Sequence, residues 1–300
     1  MAKTKKKNVY EIITDKFIDK LKEGTIPWQK PFYSSSNVPV RWESQKAYRG
    51  VNVLLLEPNG EYASMKVIRK HKGWVKKEEL KNYSISVFWL WYKLRYDEDG
   101  NLLDKKADDE EADDIQYRAK PIYHKVYEIN TQVDGLESRK EDIVIEDYEH
   151  DPIDEAEELI EGYKNKPKIT HKLDGAYYQP VFDFVNVPPM EKFDSIHEYY
   201  STLFHELIHS TGHPSRLNRL DENNFNFGSH EYSKEELVAE IGSNFLASHV
   251  GFDDVVFENS ASYINNWIQR LENDPKMIVQ ASQRAQKACD HILDMTFDEE

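Results

Sequence analysis

Two histidines and a glutamate at fixed spacing carry the clearest chemical signal in the sequence. His205, Glu206 and His209 form the pattern H-E-x-x-H. Residues i and i+4 share one face of a helix, so His205 and His209 can both present an imidazole nitrogen to one Zn²⁺ ion. Glu206 lies beside a ligand, where it can act as general base towards a water molecule that the ion activates. The pattern therefore predicts a zinc-dependent hydrolytic site typical of metallopeptidases.

A catalytic zinc site needs a third protein ligand, and two templates compete for it. The longer pattern H-E-x-x-H-x-x-G-x-x-H accepts Gly212 but fails because its last position is Ser215. The other template takes a carboxylate from a following helix, where Glu236 and Glu240 lie one turn apart. We expect Glu236 to be the ligand, with Glu240 as the alternative or as the group that orients a ligand histidine. Ser233 and Glu236 also match a capping box, which would give Glu236 a purely structural role.

Two helices are predicted to position these groups. Apolar and aromatic residues recur at helical spacing from Ile196 to Ile208, before and within the motif. Gly212 can cap the end of this helix, and Pro214 cannot continue it. The segment from Ser233 onward, which carries both glutamates, has the pattern of the second helix.

The N-terminal part of the chain mixes helix and strand signals. A helix is predicted over about residues 8–23, and a strand is predicted over 85–92. Residues 97–114 are strongly acidic and read as an insertion in a hairpin or loop. A second acidic stretch, 138–166, is predicted to be a linker. The domain boundaries are therefore predicted at 1–137, 138–166 and 167–300.

Composition excludes several classes of protein. The 300 residues are 39% hydrophobic, which is enough for a buried core. No apolar run approaches the roughly 20 residues that a membrane span requires, so we expect a soluble, cytoplasmic protein without membrane contact. Cys289 is the one cysteine, which fits a reducing compartment and leaves His and carboxylate side chains as metal ligands.

The charge is distributed unevenly, although the whole chain has a net charge of -16. Residues 1–95 contain 20 Lys and Arg against nine Asp and Glu, together with five of the six tryptophans. Exposed aromatic rings beside cations are typical of proteins that bind single strands without sequence preference. The predicted DNA-binding residues are those in loop-like positions: Trp28, Lys30, Tyr48 and Arg49.

Longer stretches of the chain resemble a known family. The C-terminal half contains GAYYQP, DFVNVPP, EYYSTLFHE, HELIHSTGHPSRLNR and EELVAEIGSNFL in this order. They are similar to the zincin-type metallopeptidase domain of the ArdC-type antirestriction proteins. The N-terminal half contains IPWQKPF, YRGVNVLLL and YEINTQVDGL, which look like that family's single-stranded-DNA-binding domain. The resemblance implies a protein of a mobile genetic element that protects incoming DNA from restriction.

These observations together predict an α+β protein of two domains. The N-terminal mixed α/β domain would bind single-stranded DNA, and the C-terminal, mainly helical zincin-like domain would be a metallopeptidase. One Zn²⁺, or Mn²⁺ or another divalent ion, would be held by His205, His209 and Glu236. A protein such as a restriction component is a further candidate partner. Two alternatives stay open: a metallopeptidase whose N-terminal domain recognises protein, and a DNA-coating protein whose metal site is not catalytic.

Overall fold

The structure of the chain is a computed structural model. It describes residues 7–28, 38–104, 108–140, 152–220, 230–252 and 261–296. Within these residues, no helix combines the length and the apolar character that crossing a membrane would need.

The N-terminal half combines a small sheet with short helices, as the sequence predicts. Its elements are α1 (Val9–Lys22), β1 (Val40–Arg41), α2 (Val51–Leu55), β2 (Glu61–Ser64), α3 (Met65–Lys70), β3 (Trp74–Val75), β4 (Ser84–Tyr96), β5 (Asp114–Glu128), α4 (Ile129–Gln132) and β6 (Val133–Asp134). The main sheet has the order β1-β2-β5-β4, and β3 pairs with β6. Because β4 and β5 are much longer than their neighbours, they extend from the sheet as a two-stranded ribbon.

The predicted N-terminal helix is confirmed and has clear end signals. The Asn8 side chain accepts a hydrogen bond from the Glu11 backbone N–H, and the Glu11 carboxylate accepts one from the Asn8 N–H. This reciprocal capping box fixes the start of α1. Gly24 follows the helix with a φ of +80°, the left-handed conformation that glycine adopts without strain.

The C-terminal half is mainly helical. Its elements are α5 (Pro152–Gly162), β7 (Lys168–Thr170), β8 (Tyr177–Gln179), β9 (Phe184–Asn186), α6 (Ile196–Ser210), α7 (His230–His249), α8 (Ala261–Asn273) and α9 (Met277–Ile292). The three strands form a sheet of order β7-β9-β8 that packs against α6. A Cβ added at Gly242 of α7 would lie 2.7 Å from Ile208 Cδ1 of α6. This glycine therefore permits the close approach of the two helices.

One hydrophobic core joins the two halves. It contains α1 residues such as Phe17 together with residues from α6, α7, α8 and α9. The Thr14 hydroxyl donates a hydrogen bond to the Pro275 carbonyl at 2.7 Å, and the Trp28 ring packs edge-to-face on Trp267 at 5.7 Å between centroids. The first helix of the chain is therefore packed on its last two helices. The architecture confirms the α+β class and the sequential arrangement of a mixed half and a helical half.

The two acidic stretches differ in structure. The stretch at 97–114 connects β4 to β5, as predicted for an insertion in a hairpin; its residues 105–107 lie outside the described residues. The stretch at 138–166 contains α5, which places Ala156, Leu159 and Ile160 in the shared core. The apolar residues of this helix outweigh its acidic composition, because they occupy one face of the helix. The predicted boundaries at 137 and 167 remain predictions.

Candidate metal centre

Helix α6 presents the two histidines of the motif on one face, as the sequence predicts. Its N-cap, Ser195, accepts a hydrogen bond from the Glu198 backbone N–H at 3.1 Å. The opposite face of α6 is deeply buried, with Tyr200, Phe204 and Leu207 in the core. This burial fixes the rotation of the helix. The Nε2 atoms of His205 and His209 consequently lie 3.1 Å apart.

Glu236 of α7 completes a cluster of three groups with His205 and His209. Its carboxylate oxygens lie 3.6 Å from His205 Nε2 and 3.5 Å from His209 Nε2. Ligands about 2.0–2.1 Å from an ion at tetrahedral angles are separated by roughly 3.3 Å. The three observed separations lie close to this value, so the three side chains fit one tetrahedrally coordinated divalent ion.

Glu240, the alternative ligand, is engaged elsewhere. Its Oε2 accepts a hydrogen bond from Trp28 Nε1 at 2.9 Å and another from the Tyr263 hydroxyl. Burial raises the pKa of Glu240, although both donors oppose this shift. The capping-box alternative for Glu236 also fails, because α7 begins at His230 and Ser233 is inside the helix. The structure thus brings Glu236, the expected carboxylate, to the histidines.

Glu235 supports the cluster from behind, and the sequence reasoning missed it. Its Oε1 lies 3.3 Å from His209 Nδ1, the ring nitrogen that faces away from the cluster. Arg219 donates to both oxygens of Glu235, at 2.8 and 2.9 Å. Burial would raise the pKa of Glu235, but Arg219 and His209 lower it, so the carboxylate stays charged. A carboxylate in this position fixes the ring orientation and tautomer of a metal-binding histidine. The role expected for Glu240 therefore falls to Glu235.

The charges within the cluster are mutually stabilising. Burial would lower the pKa of His205, but its hydrogen bond to Glu236 and the charge of Glu206 raise it. Burial would raise the pKa of Glu236, but the two histidines lower it to about 2. Such an anion is ready to bind a cation.

Two further groups lie beside the cluster. Glu206 is 8% exposed, and its charge contributes to the raised pKa of Tyr232 after the larger effect of burial. The Tyr232 hydroxyl is hydrogen-bonded to Glu236, one turn further along α7. The i, i+4 spacing of Tyr232 and Glu236 was the sequence signal for this contact. The site therefore combines the carboxyl group of Glu206 with a phenol donor.

The residues predicted to bind DNA are placed differently from what their loop-like positions indicated. Trp28 is 1% exposed and Tyr48 is 3% exposed, so neither ring offers a face to a base in this structure. Arg49 forms an ion pair with Asp290 of α9. The expectation of exposure is corrected here: short connections carry these side chains into the core and onto the C-terminal helices. Lys30 lies outside the described residues.

Comparisons with known families divide the chain into two matched parts. Residues 7–127 match the family described as the N-terminal domain of anti-restriction factor ArdC. Residues 154–284 match the family described as zincin-like metallopeptidase, and this range contains the whole cluster.

Individual relatives cover most of the chain. It is 30% identical to a DNA primase TraC of Escherichia coli over 96% of its length and 31% identical to a second, but it spans 20% and 27% of these proteins. The chain thus spans less than a third of the length of the TraC relatives. An uncharacterized protein y4eC of Sinorhizobium fredii (strain NBRC 101917 / NGR234) is 27% identical, over 94% of this chain and 91% of its own length.

Solved structures with the same fold are also known. The metal-free crystal structure of the antirestriction ArdC protein from the R388 plasmid matches 97% of this chain and 100% of its own, with a TM-score of 0.68 and 27% identity. A Mn(II)-bound structure of that protein matches 96% of this chain and 98% of its own, with the same TM-score and identity.

Proposed function

We propose that this chain, which belongs to the ArdC-type family of antirestriction proteins, binds single-stranded DNA and carries a metal-dependent peptidase site. The premise is its domain order, an ArdC N-terminal domain followed by a zincin-like metallopeptidase domain. The observation that carries the peptidase part is the convergence of His205, His209 and Glu236 next to the carboxylate of Glu206.

The proposed residues divide the chemistry among them. His205, His209 and Glu236 would hold the ion, which when bound supplies a Lewis acid for a substrate carbonyl and for water. Glu206 takes a proton from the attacking water and returns it to the leaving amine. Glu235 keeps His209 in the tautomer whose Nε2 is free to bind, because its carboxylate accepts a hydrogen bond from the Nδ1–H of this ring. Zinc is the ion we propose, since two imidazoles and one carboxylate are a common ligand set for catalytic zinc.

Metal content tests the assignment of the ligands. His205→Ala, His209→Ala and Glu236→Ala should each lose most of the bound zinc, measured by elemental analysis of purified protein after dialysis against zinc. Glu206→Gln should keep it, because Glu206 is outside the ligand set. Glu231→Ala, on the same helix as Glu236 but exposed, is the matched control. Equal zinc in all five proteins would refute the metal site.

Protection of incoming DNA tests how the two activities relate. Glu206→Gln should bind a single-stranded oligonucleotide with the affinity of the unsubstituted protein, because the base has no part in holding DNA. Peptide hydrolysis by this variant should be lost. If the variant still protects transferred DNA in cells that carry a restriction system, protection does not depend on proteolysis. If protection disappears while DNA binding persists, cleavage of a protein target is required.

A further inference from the structure

The β4–β5 ribbon carries two faces of different character. The strands pair antiparallel from Ser84↔Val126 to Tyr96↔Asp114, so residues of equal parity share a face. We define the even face as Phe88, Leu90, Tyr92, Arg118 and Lys120. We define the odd face as Trp89, Trp91, Lys93, Arg95 and Tyr117.

The even face combines an exposed ring with two cations that are not neutralised by a carboxylate. Tyr92 is 41% exposed, and the Lys120 ammonium lies 5.8 Å from its ring centroid. Arg118, opposite Tyr92 in the register, donates to the neutral side-chain oxygen of Gln116 at 3.0 Å. Within the described residues, neither Lys120 nor Arg118 forms an ion pair with a carboxylate. These two positive charges are therefore available to an anion.

The alternation of rings and cations continues from the ribbon into the sheet. The Arg41 guanidinium of β1 lies 5.6 Å from the ring centroid of Phe88. Phe88 also packs edge-to-face on His124, at 5.1 Å between centroids. Even-numbered residues of β4 are about 6.8 Å apart along the strand, so the even face is an extended stripe, not a single point.

The odd face has exposed rings as well, but its cations are neutralised. Trp91 is 56% exposed, and Lys93 lies over the Tyr117 ring at 5.7 Å. Asp109, from the acidic connection between the strands, forms ion pairs with both Lys93 and Arg95. A polyanion that approached this face would have to displace a carboxylate that is already bound.

We propose that the even face of the ribbon is the surface on which this protein binds single-stranded DNA. The inference rests on the proposed DNA-binding function and deepens it by naming the site. Bases stack on the exposed ring of Tyr92, while Lys120 and Arg118 contact the phosphates beside it. Charge complementarity selects this face over the odd one, because the phosphates of the strand meet Arg118 and Lys120, which have no carboxylate partner among the described residues. The acidic connection covers the cations of the odd face.

Neighbouring residues on opposite faces allow a matched test. The full chain is titrated into fluorescently labelled oligothymidylate of about 16 nucleotides, and anisotropy gives the affinity. Tyr92→Ala should weaken binding about 5- to 150-fold, the effect of losing one stacked base, whereas Tyr92→Phe should retain it. Trp91→Ala, a more exposed ring on the same strand, should leave the affinity unchanged. Circular dichroism and zinc content confirm that each variant is folded.

Salt dependence tests the cations separately. The double variant Arg118→Ala/Lys120→Ala should lower the slope of log affinity against log salt by about 1.4, since each lost phosphate contact to a single strand contributes about 0.7. Lys93→Ala should leave the slope unchanged, because Asp109 already neutralises this lysine.

The outcomes separate this inference from the function on which it rests. If the unsubstituted protein binds the oligonucleotide but Tyr92→Ala and the double variant bind equally well, the even face is wrong and the proposed function stands. A loss confined to Trp91→Ala and Lys93→Ala, or an equal loss on both faces, also overturns the even face. If the unsubstituted protein shows no binding at low salt, the DNA-binding function and the even face fail together.

Discussion

Replacing Trp28 with phenylalanine tests the contact that connects the N-terminal half to α7, the helix that carries Glu236. The indole N–H donates to Glu240 at 2.9 Å, and Glu240 lies one turn beyond Glu236 on α7. Phenylalanine keeps an aromatic ring against Trp267 but removes this donor. Among the described residues, the Tyr263 hydroxyl then remains as the side-chain donor to Glu240.

The expected loss of stability can be estimated from burial and charge. At a pH that ionises Glu240, a hydrogen bond to this charged group contributes about 1.5–3 kcal/mol, and the buried atoms lost from the smaller ring add roughly 1 kcal/mol. Trp28→Phe should therefore lower the free energy of unfolding by about 2.5–4 kcal/mol. At about 2 °C per kcal/mol for a chain of this size, the Tm should fall by roughly 5–8 °C.

Calorimetry and oligonucleotide binding together provide the assay. Trp28→Phe should lower the Tm without changing DNA affinity, because the ring is buried. In a Glu240→Gln background, Trp28→Phe should lower the free energy of unfolding by about 1 kcal/mol less, since the lost hydrogen bond is then to a neutral group. Trp91→Phe, at an exposed position, serves as control and should not change the Tm. An unchanged Tm combined with weakened DNA binding would refute the reasoning and restore Trp28 as a stacking residue.

Three other predictions follow from the site. Glu235→Gln should weaken metal affinity about 10- to 100-fold, measured by metal titration, whereas Glu231→Gln should not change it. Gly242→Ala should lower the free energy of unfolding by about 1–3 kcal/mol in chemical denaturation, because the added methyl group clashes with Ile208 of α6. Gly162→Ala is the control and should not destabilise the protein, because nothing lies within 4 Å of the added methyl group. In the metal-free protein, burial raises the pKa of Glu240, so its protonated carboxyl group contributes stability at low pH. This contribution is lost as pH rises above 4.5. A series of Tm values against pH should show the loss, and Glu240→Gln should remove it.

The cluster of His205, His209 and Glu236 could largely be predicted from the sequence because its signals are local. Helical spacing fixes the face that His205 and His209 share, and the following helix limits the third ligand to few carboxylates. The different roles of Glu235 and Glu236 could not be predicted from the sequence. These neighbours point about 100° apart around α7, so their roles depend on how α7 crosses α6, which is set by packing at Gly242.

The exposure expected of the predicted DNA-binding residues could not be derived from the sequence, because exposure is a property of the tertiary structure. Trp28 follows Pro27, and Tyr48 stands two residues before Gly50. Such neighbours indicate loops, which are usually on the surface. Here Trp28 is covered by residues more than 200 positions away in the sequence, such as Glu240. Tyr48 is buried in a cluster with Leu56, Tyr62 and Val126. The parity of β4 and β5 could be read from the sequence once their register was known, but the partner of Lys93 could not.

The shared core constrains how members of this family can recombine. A crossover between α5 and α6 would join the α1 helix of one parent to the α8 and α9 helices of another, and with it Thr14 to a foreign Pro275 and Trp28 to a foreign Glu240. Such a hybrid would inherit His205, His209 and Glu236 intact and still lack complementary surfaces between its halves. Exchange of the metallopeptidase half as a module therefore requires that the first helix of the chain travel with it.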